Sequence, residues 1–249
     1  MLPRHLEEMT LNHWQPLSTE IYDGWVLRFA GGYTKRANSI QAIYPSLLPV
    51  EEKIVACEEL YEERGLRPVY KITPFAQPVE LDGLLQDRGY TILEPSSVQT
   101  VGLSRLAPPV LQSASIQEQL TPAWIDLYCC FNCVDPRHKP TMTGMLSHIG
   151  AATGYLTLYH DGQAIGCGLG ILSGGYIGLY DIVVDSRFRN QGIGEQLILH
   201  LLQWGKARGA THSYLAVVKA NAPALALYSK LGYKEIYSYW YRAKVAREH

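Results

Sequence analysis

The chain has 249 residues, 47% of them hydrophobic and 18% charged, which supplies apolar material for a core and excludes disorder as its main state. Its net charge of −1, from 22 basic and 23 acidic residues, excludes nucleic-acid binding through a bulk positive field. There is no apolar run of the roughly 20 residues a membrane span needs, no secretory stretch in the opening MLPRHLEEMTLNHW, and five cysteines do not make a disulfide framework. These bounds predict a globular cytoplasmic protein, monomer or homodimer, with no nucleic-acid or membrane partner.

In chain order, residues 25–29 and 39–44 are β-rich. Residues 50–64 have helical spacing, with Ile54, Cys57 and Tyr61 on one side and Gly65 as a stop signal. A strand over 67–72, a short helix over 79–88 ended by Gly89, and an extended stretch over 98–103 follow. Pro108-Pro109 cannot continue a helix and suits a linker. Beyond it come a strand over 113–118, helices over 122–132 and 140–149, and strands over 155–159 and 163–172 joined at Asp161-Gly162, a hairpin signal. A strand over 177–184 leads into a helix over 192–208, with Ile193, Leu197, Leu201 and Trp204 on one stripe and Gly209 after it. A strand over 214–218 is next. Asn221 reads as an N-cap with Pro223 in the first turn, the helix runs over 224–231 to Gly232, and 233–241 is β-rich and aromatic.

The order helix, Gly, strand, helix, Gly, strand thus occurs twice. It predicts an α/β protein of two related mixed-sheet modules, 1–110 and 111–249. The copies differ at one turn. In the second, a strand meets Asp185-Ser186-Arg187-Phe188-Arg189-Asn190-Gln191-Gly192-Ile193-Gly194 at a helix N-terminus, an arrangement whose free N–H groups and dipole suit an anion. In the first, Pro45-Ser46-Leu47-Leu48-Pro49 stands there, without glycine or arginine.

At these residues the chain resembles the GNAT superfamily of N-acetyltransferases. Arg189-x-x-Gly192-x-Gly194 is similar to that family's pyrophosphate loop, and Asn221 through Gly232-Tyr233 to its motif of an Asn-opened helix bearing a Tyr. The likeness covers about 113–244, and the first half, with WVLRFAGGYTKRANS at 25–39, resembles the degenerate leading module of two-module members. The resemblance implies acetyl-CoA as co-substrate, no metal, and direct acetyl transfer to a primary amine in a ternary complex, with a small-molecule acceptor favoured. It implies that the backbone of Ile182, Val183 and Val184 lines the pantetheine arm. The segment Arg189, Asn190, Gln191, Gly192, Ile193 and Gly194 would hold the pyrophosphate, Asn221 would sit beside the arm, and Tyr228 would protonate the departing thiolate. Where many relatives place a strand glutamate this chain has Gly178, so Asp181 becomes the candidate base or acceptor contact.

Other readings stand beside these. A nicotinamide fingerprint fails because Leu197 occupies its third glycine. Gly166, Gly168 and Gly170 alternate inside a strand, as close backbone packing requires. Cys129, Cys130 and Cys133 with His138 lack metal-ligand spacing and read as buried small hydrophobes. Tyr237, Tyr239 and Tyr241 read as cross-strand packing or as acceptor-pocket wall. A CoA-binding sensor or scaffold without turnover, and a peptide acetyltransferase, remain as alternatives.

Overall fold

The computed structural model describes residues 3–244. It opens with an element that escapes the periodicity, helix α1 (Pro3–His13), whose polar sequence nevertheless buries Leu6, Glu7, Met9, Thr10 and His13. Strands β1 (Ser18–Tyr22), β2 (Trp25–Phe29) and the two-residue β3 (Ile40–Gln41) lead to α2 (Val50–Glu62), β4 (Val69–Ile72), α3 (Leu81–Asp87) and β5 (Tyr90–Gly102). The second half runs β6 (Ala114–Gln117), α4 (Pro122–Phe131), α5 (Lys139–Ser147), β7 (Thr153–His160), β8 (Gln163–Ser173) and β9 (Tyr176–Val184). It ends with α6 (Ile193–Ala207), β10 (His212–Val218), α7 (Ala222–Lys230) and β11 (Lys234–Lys244). No helix among the described residues is long and apolar enough to cross a membrane.

Local chemistry accounts for the element boundaries. The Thr121 hydroxyl accepts from the Trp124 amide at the start of α4, and the Asn221 carboxamide accepts from the Ala224 amide at the start of α7, each with a proline in the first turn. Helix α6 settles on β8 because the strand's glycines make room. A Cβ on Gly166 would stand 2.9 Å from the Leu197 Cδ1, and one on Gly170 would stand 3.4 Å from the Leu201 Cδ2 and 2.7 Å from Ile177. Leu197 and Leu201 are fully buried there, and each such side chain contributes roughly 1.5–3 kcal/mol.

The mixed α/β class forms as expected, but the two halves do not build two sheets. All eleven strands of the described residues join one sheet in the order β1-β2-β3-β4-β11-β5-β10-β9-β8-β7-β6. The last strand of each half lies inside the other half. Strand β5 runs antiparallel between β10 and β11, pairing Ser96 to Gly102 with Val218 to His212, and β11 runs antiparallel between β4 and β5. A half-sheet with an exposed edge has a row of unpaired N–H and C=O groups. Reciprocal insertion removes that edge from both halves.

Candidate active site

Strands β9 and β10 are parallel neighbours at the start only, with Tyr176, Ile177 and Gly178 opposite His212, Ser213 and Tyr214. Beyond that point they part, and a cavity of about 630 Å³ opens between Leu179–Val183 on one side and Leu215–Val218 on the other. The wedge that parts them is aromatic: the Tyr180 and Tyr214 hydroxyls hydrogen-bond at 2.7 Å. Gly178 lies against this pair, and a Cβ there would be 2.7 Å from the Tyr214 ring. A glutamate at that position has no room, which moves any strand carboxylate elsewhere.

Asp181 is where it goes. Between Leu169↔Tyr180 and Cys167↔Val183 the register shifts, so two residues of β9 face one of β8, and Asp181 takes a left-handed φ of 51° in this bulge. Bulges re-aim side chains, and aspartate is among the residues that tolerate such a φ. Asp181 lines the cavity, with Oδ1 3.5 Å from the Arg36 Nη2. Its Oδ2 is enclosed and has no hydrogen-bond partner among the described residues. Burial raises its pKa, and the Arg36 charge and the Tyr128 hydroxyl oppose that shift without cancelling it. Burial works against the Arg36 charge too, but Asp181 together with Tyr239, Tyr241 and Tyr180 outweighs it and the guanidinium stays charged.

Arg36 is a cavity-lining residue that no motif signals. It arrives on the loop after β2, which the Asn38 side chain pins: Oδ1 accepts from the Ala30 amide at 2.7 Å and the Gly32 amide at 2.9 Å, and Nδ2 donates to the Thr34 carbonyl at 2.8 Å. The guanidinium lies 4.9 Å from the Trp14 ring centre and 6.0 Å from that of Tyr180. Tyr33 of the same loop also lines the cavity, its phenol pushed up to about 12 by burial and by Asp181. The first half therefore supplies a wall of the cleft. Behind the wall, His13 of α1 accepts or donates through Nδ1 at 2.6 Å from the Tyr214 hydroxyl, and burial lowers its pKa to about 4. Neutral at pH 7, it extends the hydroxyl chain Tyr180–Tyr214 into the interior.

On the β10 side, Tyr228 of α7 lines the cavity and stacks edge-on against Tyr233 at 5.8 Å. Burial raises its pKa, which keeps the phenol protonated at neutral pH. Asn221 lines the cavity as well, with its Oδ1 committed to capping α7. The cavity thus brings together Asp181, Ile182, Val183, Asn221 and Tyr228 of the sequence-predicted set. Val184 ends β9, and the turn Arg189–Gly194 lies beyond it, outside the cavity lining, at the N-terminus of α6. There Asn190 and Gly192 have φ of 61° and 77°, Arg189 is exposed, and a Cβ on Gly192 would meet nothing within 4 Å. The first amides of a helix have no intrahelical acceptor, so this exposed turn offers donors to an anion.

Two expectations are corrected. Cys130 and Cys133 are exposed and Cys129 is half-buried, because α4 turns Trp124, Ile125 and Tyr128 to the core and Cys133 lies past the helix end at Phe131. Among the described residues no His, Cys, Asp and Glu group has metal-binding geometry. The three β11 tyrosines are all buried but do different things: Tyr239 and Tyr241 line the cavity, whereas the Tyr237 hydroxyl donates to Glu7 of α1 at 2.6 Å.

Residues 3–242 match the family described as "Probable histone acetyltransferase Rv0428c C-terminal". The chain belongs to that family. It is 26% identical over 245 residues to an uncharacterized N-acetyltransferase, YobR, of Bacillus subtilis, covering 97% of this chain and 98% of the relative. A ribosomal protein bS18-alanine N-acetyltransferase of Escherichia coli is 40% identical over 57 residues, 23% of this chain and 38% of that one. The fold is shared with a GCN5-related N-acetyltransferase from Kribbella flavida, at a TM-score of 0.72 and 13% identity, covering 97% of this chain and 95% of that one. The protein is an N-acetyltransferase.

Proposed function

We propose that the protein moves an acetyl group from acetyl-CoA to a small primary amine, directly, in a ternary complex formed in the β9–β10 cleft. The observation that carries this reading is the cleft itself, with Asp181 on one strand and Tyr228 on the helix facing the other. Acetyl-CoA fits these residues. The β9 edge over Leu179–Val184 has left β10 and can pair with an extended pantetheine arm, and open space beside Gly192 admits a pyrophosphate to the α6 amides. Arg189 adds a charged donor to that turn. Bound there, acetyl-CoA supplies an activated acyl group.

The protein's own groups do the rest. The cleft holds both reactants in one orientation, which replaces a bimolecular encounter. Asp181, its pKa raised by burial, takes a proton from the attacking nitrogen as the C–N bond forms. Tyr228 gives a proton to the sulfur as the C–S bond breaks; a phenol raised above its ordinary 10 is a reservoir that stays full at neutral pH. The wall of Tyr33, Arg36 and Asn38 narrows the acceptor side, which supports a small amine over a folded protein. We further read the halves as two copies of one module, of which only the second binds the cofactor. Release of thiol on adding members of an amine panel tests the reaction, and a calorimetric stoichiometry of one acetyl-CoA per chain tests the single site. A protein that binds acetyl-CoA but acetylates no amine is a sensor, and the transfer reading then falls.

A further inference from the structure

We propose that the acceptor is an amine carrying a carboxylate on the same small skeleton, an amino acid or close analogue, with Arg36 receiving the carboxylate and Asp181 the amine. The inference rests on the acetyl-transfer reading above and specifies its acceptor.

Four of the protein's cations are almost fully buried, and Arg36, with 29% of its side chain exposed, is set apart from them by its bonding as well. Lys71 is bonded to Glu7, Lys53 donates to the Asp23 carbonyl at 2.6 Å, Arg242 holds Asp82 at 2.8 and 3.0 Å, and Arg28 donates to the Leu11 carbonyl at 3.1 Å. Each is closed by short hydrogen bonds. Arg36 is not. Among the described residues its one charged neighbour is Asp181 at 3.5 Å, well beyond the 2.7–2.9 Å of a charge-assisted hydrogen bond, and it makes no hydrogen bond to any other group. Lys35, the adjacent cation on the same loop, is by contrast committed to Glu94 at 2.6 Å.

The loose pair is not loose for want of positioning. The Asn38 hydrogen bonds fix the loop, and the guanidinium lies beside the stacked Trp14 and Tyr180 rings, 4.9 and 6.0 Å from their centres, while lining the cavity. Opposite it, the Asp181 Oδ2 is buried without a donor. The unpaired Asp181 oxygen lacks a hydrogen bond that burial makes costly to lose, and the partly exposed Arg36 guanidinium lines the same cavity with donors free. A single ligand with an ammonium and a carboxylate two bonds apart satisfies both: the ammonium donates to Asp181 and the carboxylate accepts from the Arg36 fork. A plain amine satisfies Asp181 alone and leaves Arg36 as it was. The phenol rings of Tyr33, Tyr128, Tyr239 and Tyr241 around the same cavity favour a flat or apolar side chain on that skeleton.

The test compares matched pairs as acceptors for the full-length protein with acetyl-CoA: L-phenylalanine against phenethylamine, L-leucine against isoamylamine, and L-phenylalanine against its amide. The wild type is expected to favour the carboxylate member by roughly 10- to 100-fold in kcat/KM, the value of hydrogen bonds between charged groups. Arg36→Gln should collapse that ratio towards one, and Arg36→Lys should keep part of it, since an ammonium keeps the charge but not the fork. A wild-type ratio near or below one, or a ratio unchanged in Arg36→Gln, overturns the inference while leaving acetyl transfer in place. If no acceptor is turned over, the transfer reading falls instead, and calorimetric titration of L-phenylalanine into the acetyl-CoA complex decides the pocket. Saturable binding lost in Arg36→Gln sustains the carboxylate site, and no binding overturns it.

Discussion

The two parallel strand pairs of the molecule, β3–β4 in the first half and β9–β10 in the second, begin alike and end differently. Each is a short contact, Ile40↔Tyr70 and Gln41↔Lys71 in one and three residue pairs in the other, after which the strands separate. In the first half the protein's own chain fills the gap. The segment after β4 returns, the Gln77 amide donates to the Ala42 carbonyl at 2.6 Å, and the Trp25 indole donates to the Gln77 carbonyl at 3.0 Å. At the entry to α2, where the second half has its glycine turn, the Asp23 carboxylate accepts from the Leu47 and Leu48 amides at 3.0 and 2.9 Å. Those hydrogen bonds and the Lys53 ammonium hold its pKa below the usual carboxylate range. An internal anion thus stands where the second half leaves donors open. The two gaps differ in whether their hydrogen-bonding groups are already answered by the chain.

The most severe way to break the comparison is to remove the closed half. A chain beginning at Leu111 lacks β5, so β10 and β11 each lose an antiparallel neighbour. It should fail to give soluble folded protein, as size-exclusion chromatography and circular dichroism would show; a soluble product with wild-type acetyl-CoA affinity would mean that β11 can pair with β10 directly. Next in size are the groups in the open cleft. Tyr228→Phe keeps the ring against Tyr233 and should lower kcat roughly 10²- to 10⁴-fold with acetyl-CoA affinity within a few-fold. As the proposed base, Asp181 would act only when ionised, so kcat/KM should be present above its raised pKa and lost as pH falls through it; Asp181→Asn should abolish that rising limb.

Smaller effects belong at the turn proposed to hold the pyrophosphate. Gly192→Val forces a β-branched residue to a φ of 77°, at roughly 1–2 kcal/mol of strain, and fills the open space beside the helix. Acetyl-CoA binding measured by calorimetry should weaken at least tenfold while the far-ultraviolet spectrum is retained. Arg189→Ala should weaken acetyl-CoA more than a pantetheine fragment without phosphates, and equal losses would give Arg189 a structural role. The smallest effect should come from the closed first half. Asp23→Asn removes the internal anion, and should lower Tm slightly with turnover and a stoichiometry of one unchanged.

Much of the second half was legible because its signals are local. Asn221 caps its own helix, Gly192 turns its own chain, and the α6 stripe of Leu197 and Leu201 has a 3.6-residue period. What escaped depends on partners far along the chain. Helix α1 buries Glu7 and His13 only because Lys71, Tyr237 and Tyr214 meet them. Arg36 carries no motif, and its placement follows from Asn38 and Trp14. The strand expected over 39–44 pairs at only Ile40–Gln41, since burial and pairing part company where the chain leaves the sheet. Strand exchange left no periodic trace at all, because β5 alternates as an ordinary strand whichever neighbours it has.

That exchange sets a timetable for the protein's birth. Synthesis runs from the N-terminus, and many chains fold their leading portion while the rest is still being made. Here Tyr90 pairs with Lys244, so the leading half has no complete sheet until residues 234–244 have left the ribosome. Until then β4 and β5 present open edges to any passing strand, in a chain whose decisive contacts are among its most distant, the condition that slows folding most. The sheet becomes continuous only when β11 takes its place between β4 and β5.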